Sequence, residues 1–288
     1  MTEKKNLDNI KKLREITGVG FSDCKLAISE NNGDIEKSIE YLRKKGIAKA
    51  SKKMSRGAAE GLVLLNEKDG FGSIIEINSE TDFVAKNKDF ILFCKEVSEL
   101  NFINKSNIES LNLSKMKNGK TVNENLIALI SKIGEKITIR RSKFFNTNGL
   151  NFFYVHNSLE KNIGKVAAIV QLTKSSKNDL KDLGSKLAMH IAAQSPIAID
   201  KNGINKETLN KELEIIKEEL KTSGKKPEMI DKIATGKIKK FISDNTLLEQ
   251  LWIMDTKMKV NQVINQYSAG EEIKVLDFVR FKVGEGVD

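Results

Sequence analysis

The chain has almost no cysteine and almost no proline, two residues of each among 288. Cys24 and Cys94 lie far apart and match neither a metal-ligand nor a redox spacing, so both read as reduced, partly buried apolar residues. So little proline leaves few elements to be broken. Long apolar runs are missing as well. The start, MTEKKNLDNI, has no apolar core behind its lysines, and no segment approaches the roughly 20 apolar residues that span a bilayer. A cytoplasmic protein is expected. Histidine is scarce, with only His156 and His190, and neither has a metal-binding neighbour at useful spacing. No GxxxxGKS/T loop and no GxGxxG after a strand is present, so the chain is not expected to hold nucleotide itself. The expectation is a protein that is not an enzyme and carries neither cofactor nor metal. The catalytic alternative is a hydrolase whose cluster is assembled from distant residues.

What is present is a globular composition, 39% hydrophobic and 31% charged, unlike that of a disordered or fibrous chain. At 288 residues, two or three domains are expected. Lys and Arg number 49 against 39 Asp and Glu, a net charge of +10. A basic surface suits RNA and an acidic protein partner equally. Much of the excess is lysine, accompanied by asparagine and isoleucine, a bias that an AT-rich genome can produce by itself.

The first 46 residues have the period of three short helices. Leu7, Ile10, Leu13 and Ile16 recur at three-residue spacing and stop at Thr17-Gly18, where glycine can take the left-handed conformation that closes a helix. Phe21, Cys24, Ala27 and Ile28 form a second apolar set. Asp34 then caps a third helix with Ile35, Ile39 and Leu42 on its inner face, which Gly46 is expected to end. Arg43, Lys44, Lys45, Lys49, Lys52, Lys53 and Arg56 follow with no acid between Glu40 and Glu60. This run reads as a solvated linker, the alternative being an electrostatic arm for RNA or for an acidic surface.

From Gly61 the period becomes that of strands. GLVLLNEKDGFGSIIEIN sets two apolar runs around Lys68-Asp69-Gly70, a hairpin signature. A helix is expected with Phe90, Phe93, Cys94, Val97 and Leu100 along one side, another over 122–133, and a strand over 137–145. The second half repeats the plan: 152–156 and 163–172 pair as a hairpin, and a helix carrying Leu180, Leu183, Leu187 and Ile191 follows. Leu209, Leu213, Ile216 and Leu220 then form a heptad-like seam. Gly224 interrupts, and Pro227 opens a returning helix through Ile230, Ile233, Ile238 and Phe241. The result should be an antiparallel helical hairpin, its seam either closed within itself or meeting another molecule. The tail, IKVLDFVRFKVGEG, alternates and should be a strand that rejoins a sheet.

SETDFVAKN (79–87) reads physically as a strand end running into a helix start, with Thr81 or Asp82 able to cap it. Taken alone, Phe83 reads as core, with exposure at a turn as the alternative. The run closely resembles the signature of the elongation factor Ts family, exchange factors for the GTPase elongation factor Tu. Residues 13–53, 132–141, 188–196, 224–241 and 278–286 also resemble family segments in the same order, so the resemblance extends over nearly the whole chain. It implies an α+β protein: a three-helix bundle like a ubiquitin-associated domain, two related α+β core subdomains with antiparallel sheets, and an inserted antiparallel helical hairpin. The expected division is bundle and basic linker 1–55, first core subdomain 56–146, first part of the second 147–202, hairpin 203–243, and return with the C-terminal tail 244–288.

The resemblance also implies roles. Thr81, Asp82, Phe83 and Val84 match the segment that reaches into the partner near its magnesium ion, Asp82 and Phe83 being the wedge. His156 matches a histidine that disturbs the partner's phosphate-binding loop; the alternative is a hydrogen-bonded histidine at a strand end. Gly20, Phe21, Ser22, Asp23, Cys24 and Lys25 match a contact with the partner's GTP-binding domain, the alternative being a turn and helix cap. His190, on an apolar helix face, reads as structural. Two departures stand out. NSLEKNIGKV (157–166) makes a longer turn after His156 than the family usually has, and Leu251 stands where the family commonly has proline, leaving Trp252 to pack against the second subdomain. The implied function is to bind the GDP form of elongation factor Tu and promote GDP release, letting GTP reload. The alternative is a basic RNA-binding protein of the translation apparatus, although aromatic-rich strands for stacking bases are lacking. The hairpin fits a dimer contact, a partner contact or a self-satisfied arm alike.

Overall fold

A computed structural model describes residues 2–17, 19–176, 179–224, 226–268 and 270–287. Gly18, expected to close the first helix, lies outside the described residues, as does the side chain of Lys49. Helices α1 (Thr2–Thr17), α2 (Phe21–Glu30) and α3 (Ile35–Lys53) form the amino-terminal bundle. Its core joins Ile10, Leu13, Cys24, Ala27, Ile28 and Leu42, with Ile35 and Ile39 packed against it. Leu7 and Ile16, also expected inside, are exposed. Each residue turns a helix by about 100°, so four positions spaced by three sweep half the circumference and only the middle pair faces inward. Asp34 caps α3 as expected, its side chain accepting the Lys37 N–H.

Gly46 does not end α3, which continues to Lys53. A helix-interior glycine costs only about 1 kcal/mol, and contacts on both sides of it hold the helix. Arg43 pairs with Glu124, and the Lys53 ammonium donates to the Gly134 carbonyl. Lys44 pairs with Glu40, Lys45 with Asp23 and Arg56 with Glu80. The expected solvated linker is therefore mostly helix, and much of its charge is engaged within the chain.

Strands β1 (Glu60–Lys68) and β2 (Phe71–Ser79) form the expected hairpin, closed by Asp69 and Gly70 at φ of 53° and 79°. After α4 (Asp82–Ala85), α5 (Lys88–Ile103), α6 (Ile108–Leu113) and α7 (Val122–Ile133) comes β3 (Ile137–Phe145). The next strands are β4 (Leu150–His156), β5 (Ile163–Gly164) and β6 (Val166–Leu172). The single strand expected over 163–172 is thus two. Ile163 and Gly164 pair with β1, whereas Val166 onward pairs with β4, so the chain changes sheet at Lys165. Helix α8 (Lys181–Gln194) follows, then the hairpin α9 (Lys206–Thr222) and α10 (Pro227–Asn245), the ribbon β7 (Leu251–Trp252) and β8 (Asp255–Lys259), α11 (Val260–Tyr267) and β9 (Val275–Lys282). The tail does rejoin a sheet, β9 pairing antiparallel with β6.

The main sheets, ordered β3-β2-β1-β5 and β4-β6-β9, pair antiparallel throughout and pack face to face. Side chains alternate across a strand. Leu62, Leu64, Ile75 and Ile77 meet α5 and α7, while Val63, Leu65 and Ile74 meet Ala167, Ile169, Val279 and Phe281 of the other sheet. Ala168 and Val170 face α8 and α11. Strands covered on both sides read as continuous apolar runs, which explains LVLL and VAAIV. Within the hairpin, Ile216, Leu220, Ile230 and Ala234 bury one another, so this part of the seam is closed in the hairpin itself.

Trp252 packs in the second core and stacks on His190 with ring centroids 5.2 Å apart. Leu251 opens the short ribbon that returns the chain to α11. His190 is buried, as its position on an apolar helix face predicts. Among the described residues, no helix is long and apolar enough to cross a membrane.

Candidate functional site

Beyond the end of β2, the buried Ser79 hydroxyl donates to the Thr81 carbonyl at 3.0 Å and tightens the turn into α4. Thr81 occupies the position before the helix, yet neither it nor Asp82 caps α4 as expected, because the Thr81 hydroxyl donates to Glu135 Oε1 at 2.8 Å instead. The Thr81 N–H donates to the other oxygen of the same carboxylate at 3.0 Å. Val84 and Ala85 anchor the single turn in the first core. Residues 82 and 83 must then lie on the outer side of a turn that advances 100° per residue. Phe83 is 78% exposed, so its reading as core is overturned by the burial of its two successors. Asp82 pairs with Lys86 at 2.7 Å. The hydrogen bond from Lys86, joined by the charges of Lys86 and Lys165, holds the Asp82 carboxyl below its ordinary pKa.

His156 ends β4, exposed, with Nδ1 3.1 Å from the Tyr154 hydroxyl. Its partner across the sheet is Val166, next to Lys165, whose ammonium pairs with Glu60 and whose charge is felt at Asp82. The turn after His156 is closed by a Leu159 N–H bond to the Ile163 carbonyl and tied to α5 by a Lys95–Glu160 ion pair.

The set at 20–25 sits on the bundle, where Gly20, Phe21, Ser22 and Lys25 are exposed and Asp23 is half-buried. Cys24 is a correction: its side chain is fully buried, its thiol bonds to the Val19 carbonyl, and burial pushes its pKa up. It holds the bundle together and offers no surface to a partner. Cys94 is buried in the first core, and burial likewise raises its thiol. No local pattern in the sequence encodes the bonds of Glu135 to Thr81 or the pairing of Lys165 with Glu60.

Phe83 thus stands exposed on a one-turn helix whose preceding residue is bonded twice to a carboxylate from a distant turn. The family described as Elongation factor TS matches residues 80–285. Proteins named elongation factor Ts from Rickettsia akari and Xanthobacter autotrophicus are 39% and 42% identical over 284 residues, covering 97% of this chain and 92% of theirs. The Rhodospirillum centenum protein of that name is 39% identical over the same coverage. With the matched region taking in the tip, the second sheet and the hairpin, and the relatives aligning over nearly the whole chain, this protein belongs to the elongation factor Ts family.

Proposed function

We propose that this protein is a cytoplasmic guanine nucleotide exchange factor, which binds elongation factor Tu in its GDP form and promotes GDP release so that GTP can reload. The observation that carries this reading is Phe83, 78% exposed on a turn whose other face is locked into the core. Asp82 and Phe83 wedge beside the partner's magnesium ion, with Thr81 and Val84 holding the wedge in place. His156 presses on the phosphate-loop side. The exposed residues at 20–25 contact the GTP-binding domain, and the division into bundle 1–55, core subdomains, hairpin 203–243 and tail belongs to the same reading. Magnesium holds nucleotide phosphates through oxygen ligands at a strict distance, so a small displacement around it weakens the whole grip. Linkage makes the effect mutual: a factor that loosens GDP is itself loosened by GDP to the same extent.

The RNA-binding alternative relied on the run at 43–56, and five of its cations are held by Glu124, Glu40, Asp23, Glu80 and the Gly134 carbonyl. The exchange reading is tested by mixing the protein with elongation factor Tu carrying fluorescent GDP in stopped flow. Phe83→Ala and Asp82→Ala should slow release strongly while circular dichroism stays unchanged. Release at the wild-type rate in both variants would remove the assignment.

A further inference from the structure

We propose that Glu135 is a positioning residue for exchange, aiming Phe83 by gripping Thr81 at two atoms. The inference rests on the reading of Phe83 as the working tip. One carboxylate oxygen takes the Thr81 N–H at 3.0 Å and the other takes the Thr81 hydroxyl at 2.8 Å. Two bonds from one planar group to one residue restrain its rotation as well as its position. Thr81 immediately precedes α4, so its orientation sets the direction in which that single turn presents Asp82 and Phe83.

A brace works only if it is itself held. Gly134, at φ 88°, closes α7 by donating to the Ile130 carbonyl at 2.9 Å, and the buried Ile137 starts β3 only three residues later. Between them, the Lys136 N–H donates to Glu80 at 2.6 Å, and the Lys136 ammonium donates to the Met54 and Arg56 carbonyls at 2.8 and 2.7 Å. The two turns therefore exchange bonds in both directions, Glu135 to Thr81 and Glu80 to Lys136. The segment leaving the amino-terminal bundle is tied to the same turn. A threonine placed before a helix ordinarily spends its hydroxyl on capping that helix. Here the hydroxyl goes to a residue 54 positions away, a use that fixes aim and does not serve helix stability.

The test is a double-mutant cycle in the full-length chain, reading release of fluorescent GDP from elongation factor Tu at saturating exchange factor. Glu135→Ala should slow release roughly tenfold, the scale of losing a charge-assisted pair of hydrogen bonds. The exchange-factor concentration giving half-maximal rate should change little. Glu135→Gln, whose amide can still accept from the Thr81 N–H and donate to its hydroxyl, should restore most of the rate. Thr81→Val, which leaves the carboxylate in place and removes one bond, should slow release partially and serves as the second probe should Glu135→Ala fail to fold. In a Phe83→Ala background, Glu135→Ala and Thr81→Val should slow release much less than they do alone, since only Asp82 is then left for the brace to aim. If Phe83→Ala alone leaves release unchanged, the tip reading fails and this inference with it. If Phe83→Ala slows release while both Glu135→Ala and Thr81→Val do not, the tip reading stands and the positioning role is overturned. Equal slowing by these variants with and without Phe83 also overturns it, because their effect then bypasses the tip.

Discussion

The Glu76 carboxylate, wholly buried between the two sheets, accepts the backbone N–H of Gly284 at 2.9 Å across 208 positions of sequence. Asn78 donates to it at 3.0 Å, Arg140 at 3.1 Å and Arg141 at 2.5 Å. Arg140 and Arg141 also donate to the Glu285 and Lys282 carbonyls, so one buried charge organises a latch that holds the tail onto the first sheet. Gly284 adopts φ +75°, and a Cβ there would lie 2.1 Å from the Ala59 carbonyl oxygen. Burial pushes the Glu76 carboxyl upward, but the bonds from Gly284, Asn78 and Arg141 outweigh it and leave its pKa below the ordinary value.

Removing one partner of a buried ion pair costs roughly 3 kcal/mol. Glu76→Gln is expected at or below that figure, because Arg140 and Arg141 keep some solvent contact and can rehydrate. Since the folded pKa lies below the ordinary 4.5, the ionised carboxylate stabilises the fold above that pH and the contribution is lost as pH falls through the acid range. Urea unfolding at pH 7 should show the loss in Glu76→Gln, and the difference from wild type should shrink on acidification.

His190 carries a second pH dependence. Its Nε2 lies 3.0 Å from Gln250 Oε1, and its Nδ1 accepts from the Ile253 N–H at 3.4 Å, which assigns the proton of the neutral ring to Nε2. Gln250 in turn donates to the Gln194 and Asp244 carbonyls, joining the ends of α8 and α10. Burial lowers the His190 pKa from 6.5, against the opposing effect of the hydrogen bond that the ring donates to Gln250. Below that pH the unfolded chain binds a proton that the fold resists, so stability should fall as pH drops from about 6.5. Denaturant midpoints between pH 7.5 and 5.5 should decline in wild type and stay flatter in His190→Gln.

Gly46 lies inside α3 at an ordinary helical φ, and a Cβ there would meet Ser131 at 3.5 Å, an ordinary contact. Gly46→Ala should therefore stabilise the protein by up to about 1 kcal/mol through helix propensity. A raised melting temperature with unchanged exchange activity is the expected result; a lower one would show that α3 and α7 are packed too closely for the methyl group.

The sequence by itself determined the elements whose signal is local. Helix α7 and strand β3 occupy the ranges that periodicity predicts, and the apolar seam at Ile216, Leu220 and Ile230 marks the helical hairpin without reference to anything outside it. SETDFVAKN pointed to the tip through its resemblance to a family. Tertiary structure alone decided the continuation of α3 past Gly46, the change of sheet at Lys165 and the exposure of Phe83. The physical reason is that period and capping depend on neighbours within a few residues. Exposure, ion pairing and the bracing of Thr81 by Glu135 depend on which distant surfaces meet, and those meetings exist only once the sheets, helices and turns have packed.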